Sequence, residues 1–311
     1  MKEPKKVFNF YDQTYLKTYN LDKSIQYQLN LLDSLDAYTR KHCENVAVIT
    51  CNLCKKLHLS KGFTEYCTIC AYLHDIGKLF IPSSILQKPS VLTDEEYEIM
   101  KKHTTLGYKL CIKDEKLRPY YAGPYYHHEA LDGTGYPQGL TKKDIPYEAQ
   151  IIRVADEYDA LVNKRQYKTH IGVTDSLKII IENTKVSANA PANTKYSRAG
   201  KNNKNIVRQL LKVVIDDIEF EISTSINYLK ELESDLKRYK KVEKYIKKKN
   251  NSSNPNKVAY YTQYAECLLQ HGESLKNFDT LHQELFNAYK LRKKELDDLY
   301  LEIKKVKKLR V

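Results

Sequence analysis

The chain has 311 residues, 41% of them hydrophobic, and 52 Lys and Arg against 39 Asp and Glu give a formal net charge of +13. That length and apolar share support one large domain or two small ones with a substantial core, and they exclude disorder throughout. There is no run of about 18 apolar residues, and the basic start MKEPKKVFNFYDQ lacks the apolar stretch of a secretory signal, so no membrane span and a cytoplasmic location are expected. The seven cysteines are odd in number and scattered, which fits a reducing compartment where thiols are free or bind metal. Lysine is abundant everywhere, and the sharpest basic run, KRYKKVEKYIKKK at 237–249, lies in a helical pattern. It reads as a solvated helix face, so no nucleic-acid polymer is expected as a partner.

From His42 the pattern is mainly helical and no alternating strand set of useful length appears, so the expected class is all-α. Residues 1–35 read as a short helical lead-in. From His42 onward Val46, Ile49, Leu53 and Leu57 recur at helix spacing until SKG at 60–62, and a second helix is expected from about Phe63 to Ile76. Pro82 and Pro89 bracket a connection; Thr93 with Glu96 then forms a capping box that opens a helix on which Met100, His103, Gly107 and Leu110 share one inward stripe. Between about 185 and 205 the sequence turns polar and loses its period, the mark of a loop or insertion. Leu211, Ile215, Ile218, Ile222, Leu229, Leu232, Leu236 and Tyr239 then keep a 4-3 spacing, missed once at Ser225. After the break KKKNNSSNPNK, the residues Leu285, Tyr289, Leu296, Leu299, Ile303 and Val306 resume it, with one gap at Arg292. Two seamed helices suggest an antiparallel hairpin over 216–311, either capping the core or joining two copies as a homodimer.

Two metal signals compete within CTICAYLHDIGK at 67–78. Cys51, Cys54, Cys67 and Cys70 make a CxxC…CxxC pattern, but twelve residues separate the pairs, fewer than the common four-cysteine zinc spacing. Both pairs sit in periodic helical text with no Gly or Pro to build knuckles, so they read as small buried residues that let helices approach. The rival set is His42, His74, Asp75, His103, the tandem His127 and His128, and Asp156. Imidazole and carboxylate ligands in that mixture suit Fe, Mn or Zn rather than Ca or Mg. Any one of these histidines could be an ordinary core residue, but the set together is hard to explain so.

HDIGK, HHEALDGTGYPQGL and VADEYDALVNKRQYK, in that order with His103 between the first two, resemble the HD-GYP family of cyclic dinucleotide phosphodiesterases, within the HD metal-dependent phosphohydrolases. The resemblance runs from about Asp36 to about Leu177 and more faintly to Val214. It implies an HD-domain helical bundle over 36–215 with the long-helix hairpin added after it. Carried over residue by residue, it implies metal ligation by His42, His74, Asp75, His103, His127, His128 and Asp156, with Asp75 bridging two divalent ions, most simply Fe or Mn. Members with a third ion have a Glu where this chain has Tyr38, a poor substitute, so a binuclear site is expected. Asp75 and Lys78 would be catalytic, with Lys78 on the scissile phosphate; Arg165 and Lys168 would hold substrate phosphates; Gly135, Tyr136 and Pro137 are the signature loop. Gln166 departs from the usual Pro.

The implied function is bacterial second-messenger signalling by hydrolysis of cyclic di-GMP to pGpG, and on to GMP in one version, through metal-activated hydroxide. The alternatives are an HD phosphohydrolase acting on another nucleotide such as cyclic GMP-AMP, or a sensor that binds the dinucleotide and signals through the helical tail.

Overall fold

A computed structural model describes residues 34–163, 172–186, 199–270 and 272–311. Among these residues there is no strand, only an isolated antiparallel bridge between Asp132 and Thr141, and ten α-helices carry the structure. The chain is all-α. It divides into two compact units, residues up to 214 together with 308–311, and residues 215–307. No helix of the described residues is long and apolar enough to cross a membrane.

In the first unit α1 (Ala37–Lys56) starts where Asp36, in extended backbone, accepts from the Thr39 N–H at 3.0 Å. Its buried face runs His42, Cys43, Val46, Ala47, Thr50, Cys51, Leu53 and Cys54. Ser60 caps α2 (Lys61–Leu73) in the same way, from the Phe63 N–H. α2 and α6 (Tyr147–Val162) both pack on α1. Fully buried Leu53, Ile69 and Leu73 each contribute about 2 kcal/mol of apolar burial there.

α2 stops earlier than its periodicity suggests: at His74 the chain leaves the α-helix, and a 3-10 turn over Ile76–Phe80 follows. Gly77 makes this turn fit. A Cβ on it would stand 1.9 Å from the His103 carbonyl oxygen, so only glycine lets the turn lie against α4 (Asp94–Lys113). Short α3 (Ser83–Leu86) leads to α4, whose capping box between Thr93 and Glu96 is formed. α5 (Ala122–Tyr126) precedes the tandem histidines, and α7 (Val173–Glu182) follows α6. Cys51 and Cys54 on α1 and Cys67 and Cys70 on α2 are buried free thiols, as the helical phase implies for packing residues.

α8 (Lys204–Asn250) begins in the first unit and runs on as the first helix of the second, followed by α9 (Pro255–Cys267) and α10 (Phe278–Val306). The second unit therefore holds three helices where the seam spacing suggests two. The missed α9 opens on a strong local signal: the Asn254 side chain accepts from the Asn256 and Lys257 N–H groups with Pro255 at the first helical position. Ile218, Ile222, Leu229, Leu232 and Tyr239 of the seam are buried, and so is Ser225, the interrupted position. Tyr239, Val242, Ala265 and Phe278 form this unit's core, and Arg238 ties it together by bonding Asp235 and Glu273.

Candidate metal centre and its cavity

His42 on α1, His74 and Asp75 at the end of α2, His103 on α4, His127 and His128 after α5, and Asp156 on α6 converge in the first unit. Three sets of ligand atoms there come close enough to share an ion: His42, His74 and Asp75; His103, His127 and His128; and His74, His127 and Asp156. All are buried except His128, which is half-buried.

The backbone sets each ring. Nδ1 of His74 lies 2.7 Å from the Ala71 carbonyl, Nδ1 of His103 2.7 Å from Met100 O, and Nδ1 of His127 2.9 Å from Gly123 O. A carbonyl only accepts, so each Nδ1 carries the proton and each Nε2 presents its lone pair inward. His42 also donates from Nδ1, to Asp159 Oδ2 at 2.7 Å, and its Nε2 faces Asp156 Oδ1 at 3.0 Å. Such outer contacts fix the tautomer that a metal requires.

Asp75 stands between two groups of these nitrogens. Its Oδ2 lies 3.3 Å from His74 Nε2 and 3.6 Å from His42 Nε2, while its Oδ1 lies 3.4 Å from His103 Nε2 and 3.9 Å from His127 Nε2. Asp156 completes the first group, 3.0 Å from His42 Nε2. Lys78, one turn after His74, donates to Asp75 Oδ2 at 2.5 Å.

The two groups differ in charge. Burial alone would lower the His42 pKa, but hydrogen bonds to Asp156 and Asp159 outweigh it and lift it to about 9. Burial opposes ionisation of Asp75 and Asp156 too, yet Lys78 and His74 hold the first well below the usual carboxylate range, and His42 the second. In the other group burial wins: His103 falls to about 4 against the pull of Asp75, and His127 to about 3, helped by His74 and His103. Two neutral rings then face each other with Nε2 lone pairs 3.2 Å apart. Facing acceptors at that distance repel unless a cation lies among them, so this donor set fits a divalent ion. The cluster holds only nitrogen and oxygen donors, which suit Fe, Mn or Zn.

The signature loop closes one side. A Cβ on Gly135 would fall 2.3 Å from Ala130 N and 2.5 Å from His128 O, so glycine alone permits this approach. Buried Glu129 shapes the loop by accepting from the Gln138 and Leu140 N–H groups. The Tyr136 ring then stacks on His128, centroids 4.7 Å apart, and the loop continues through Pro137. Beside the centre a cavity of about 550 Å³ is lined by Tyr38, Lys78, His103, His128, Tyr136 and Arg153 among others. Tyr38 is at its mouth, 37% exposed. Arg165 and Lys168 lie outside the described residues.

Sequence reasoning missed Asp159. It stands one turn after Asp156 on the same face of α6, so the spacing that placed Asp156 inside could have found it. Glu129 and Arg153 were also missed; their roles depend on loop closure that no local pattern announces.

The profile of a family described as HD domain matches residues 26–188. A Thermotoga maritima protein named cyclic di-GMP phosphodiesterase is 36% identical over 185 residues, covering 52% of this chain and 50% of that one. The cyclic di-GMP phosphodiesterase PdeB of Borreliella burgdorferi is 42% identical over 128 residues, 41% of this chain and 34% of its own. A 3'3'-cGAMP-specific phosphodiesterase 3 of Vibrio cholerae is 34% identical over 153 residues, 49% of this chain and 33% of its own. The chain thus spans half or less of the length of these curated relatives.

Proposed function

The chain belongs to the HD domain family, and on that premise we propose that it is a cyclic dinucleotide phosphodiesterase that opens cyclic di-GMP to pGpG. The observation that carries this reading is the divided placement of the Asp75 oxygens, one toward His42 and His74 and the other toward His103 and His127, beside a cavity of about 550 Å³. In this reading the seven residues hold two divalent ions, Fe or Mn, and Asp75 sets their separation. Ions so held would lower the pKa of water toward about 7 and withdraw charge from phosphoryl oxygens.

The chain's own residues do the rest. Asp159 keeps the His42 proton on Nδ1, and the Ala71, Met100 and Gly123 carbonyls do the same for His74, His103 and His127. Lys78, ion-paired to Asp75 and half-buried, is the cation nearest the reacting phosphate and stabilises the charge that builds on it, a contribution on the order of 3 kcal/mol in comparable oxyanion sites. Tyr136 braces His128. Arg165 and Lys168 add phosphate contacts in this reading, and the domain that performs the reaction ends near residue 215, with the helices beyond it as a cap or a homodimer contact.

Incubation of Mn- or Fe-loaded protein with cyclic di-GMP under reducing conditions tests this, with His74→Ala and Asp75→Ala as controls. Linear pGpG from the wild type and none from the controls is expected; absence of turnover by the wild type, with the dinucleotide still bound, would make the protein a sensor instead. A second substrate is favoured by one observation, the similarity to a 3'3'-cGAMP-specific enzyme. Parallel assay of cyclic GMP-AMP decides the preference.

A further inference from the structure

Arg153 lies on α6 three residues before Asp156 and lines the cavity beside His128 and Tyr136. Its Nε donates to Asn202 Oδ1 at 3.0 Å and its Nη1 to the His128 carbonyl at 3.3 Å. Both acceptors are neutral, and among the described residues no carboxylate forms an ion pair with it. A half-buried guanidinium charge therefore stands on the cavity lining, with no carboxylate ion-paired to it among the described residues.

That arrangement is built. Glu157, four residues on, is the carboxylate that helical geometry offers to Arg153. Buried Asn202 stands between them instead, with its Oδ1 on Arg153 and its Nδ2 donating to Glu157 Oε2 at 2.5 Å, while the other Glu157 oxygen takes the Asn183 side chain. The segment carrying Asn202 is clamped on both sides. Asn202 N–H donates to the Asn183 carbonyl at 2.9 Å, and Leu131 N–H donates to the Lys201 carbonyl at 3.0 Å. Gly200 permits the fit, since a Cβ there would lie 2.3 Å from the Thr184 carbonyl carbon. The fold thus spends Glu157 on two amides, and with Nε and one Nη1 hydrogen of Arg153 engaged it leaves the Nη2 end of the guanidinium for something in the cavity.

We propose that Arg153 binds the second phosphodiester of the cyclic dinucleotide, the one not being cleaved. This rests on the phosphodiesterase reading and adds a substrate contact to it. A cyclic dinucleotide carries two diester anions, and only one can lie at the metal centre. Arg153 is anchored on the main chain of His128 and on Asn202 rather than on ligand nitrogens or carboxylates, so it serves a group beside the centre. The planar Nη1/Nη2 end of its guanidinium can meet two phosphate oxygens at once, and Lys201 also lines the cavity.

The test compares a substrate with two diesters, cyclic di-GMP, and one with a single diester, bis(p-nitrophenyl) phosphate. In metal-free protein, Arg153→Met is expected to weaken cyclic di-GMP binding, read by calorimetry, by about 10- to 100-fold, the scale of a charge-assisted contact. In Mn-loaded protein its kcat/KM on cyclic di-GMP should fall at least about tenfold further than on bis(p-nitrophenyl) phosphate, mainly through KM, with Arg153→Lys between it and wild type. Equal losses on both substrates, or wild-type affinity in Arg153→Met, overturn the proposal alone. If Arg153→Met does not fold, the same ratio is read from Arg153→Lys, where no selective loss overturns it. Wild-type protein that cleaves bis(p-nitrophenyl) phosphate but neither binds nor cleaves a cyclic dinucleotide overturns the substrate reading, and the inference with it.

Discussion

The two halves of the centre are built from similar ligands and behave differently. The half with His42, His74 and Asp156 is rich in carboxylate, and Asp159 backs it with another, so His42 is held as a cation up to about pH 9. The half with His103, His127 and His128 faces one oxygen of Asp75 and, 3.9 Å from His128, one of Asp156, but burial outweighs both and leaves His103 and His127 neutral, with pKa values of about 4 and 3. One half already holds a positive charge on His42, and a divalent ion bound there would take the place of that proton. The other is a set of converging lone pairs. Identical residue types therefore acquire opposite electrostatics from how many carboxylates each half meets and how deeply it is buried.

Removing what the halves share should have the largest effect. Asp75→Ala is expected to leave almost no bound metal by elemental analysis and to reduce turnover on the order of 10³-fold, the scale of losing a principal electrostatic element. Retention of one ion per chain would show that one half binds without the bridge. Removing what only one half has comes next. Asp159→Asn is expected to weaken metal binding about 10- to 100-fold, as loss of an outer partner does elsewhere. In a Mn²⁺ titration one of the two binding steps should move; if both move equally, the halves are not separable.

The pH dependence of the metal-free protein sets the halves against each other. His103 and His127 have folded pKa values below the ordinary 6.5, so the unfolded chain binds their protons more readily, and the stability they allow above pH 6.5 is lost as pH falls toward 4. At pH 5 each costs about 2 kcal/mol, readable from urea midpoints. His42 runs the other way, contributing fully below pH 6.5 and losing its contribution as pH rises through about 9. A metal-free protein equally stable at pH 5 and pH 7 would contradict this balance. The smallest effect on metal is expected from the four helical cysteines. Cys51, Cys54, Cys67 and Cys70 changed together to Ala should lower the melting temperature while the metal content per chain stays as in wild type; loss of metal from a folded variant would return those thiols to the site.

Much of this was legible in the chain. The all-α class, the capping box at Thr93, the inward face of His103 and the helical placement of the paired cysteines all follow from local periodicity and capping, which act over a few residues and are written in order. α9 departs from the two-helix expectation because the Asn254 cap, a local signal, starts a helix inside the break between the two seams. The helix carrying the His-Asp pair ends at Leu73 rather than Ile76 because Gly77 must pass the His103 backbone, a contact between segments about 25 residues apart.

What the sequence by itself determined is the inventory: which residues can ligate, on which helices, and to which family they belong. What only the tertiary structure decided is their state. Asp75 divides its oxygens between two groups, Asp156 and Asp159 together keep His42 charged, and Asn202 interposes itself so that, among the described residues, no carboxylate pairs with Arg153. Each of these depends on groups distant in sequence meeting within about 3 Å in a low-dielectric interior, where a single hydrogen bond or its absence shifts charge by several kcal/mol. Spacing along a chain carries no record of such meetings.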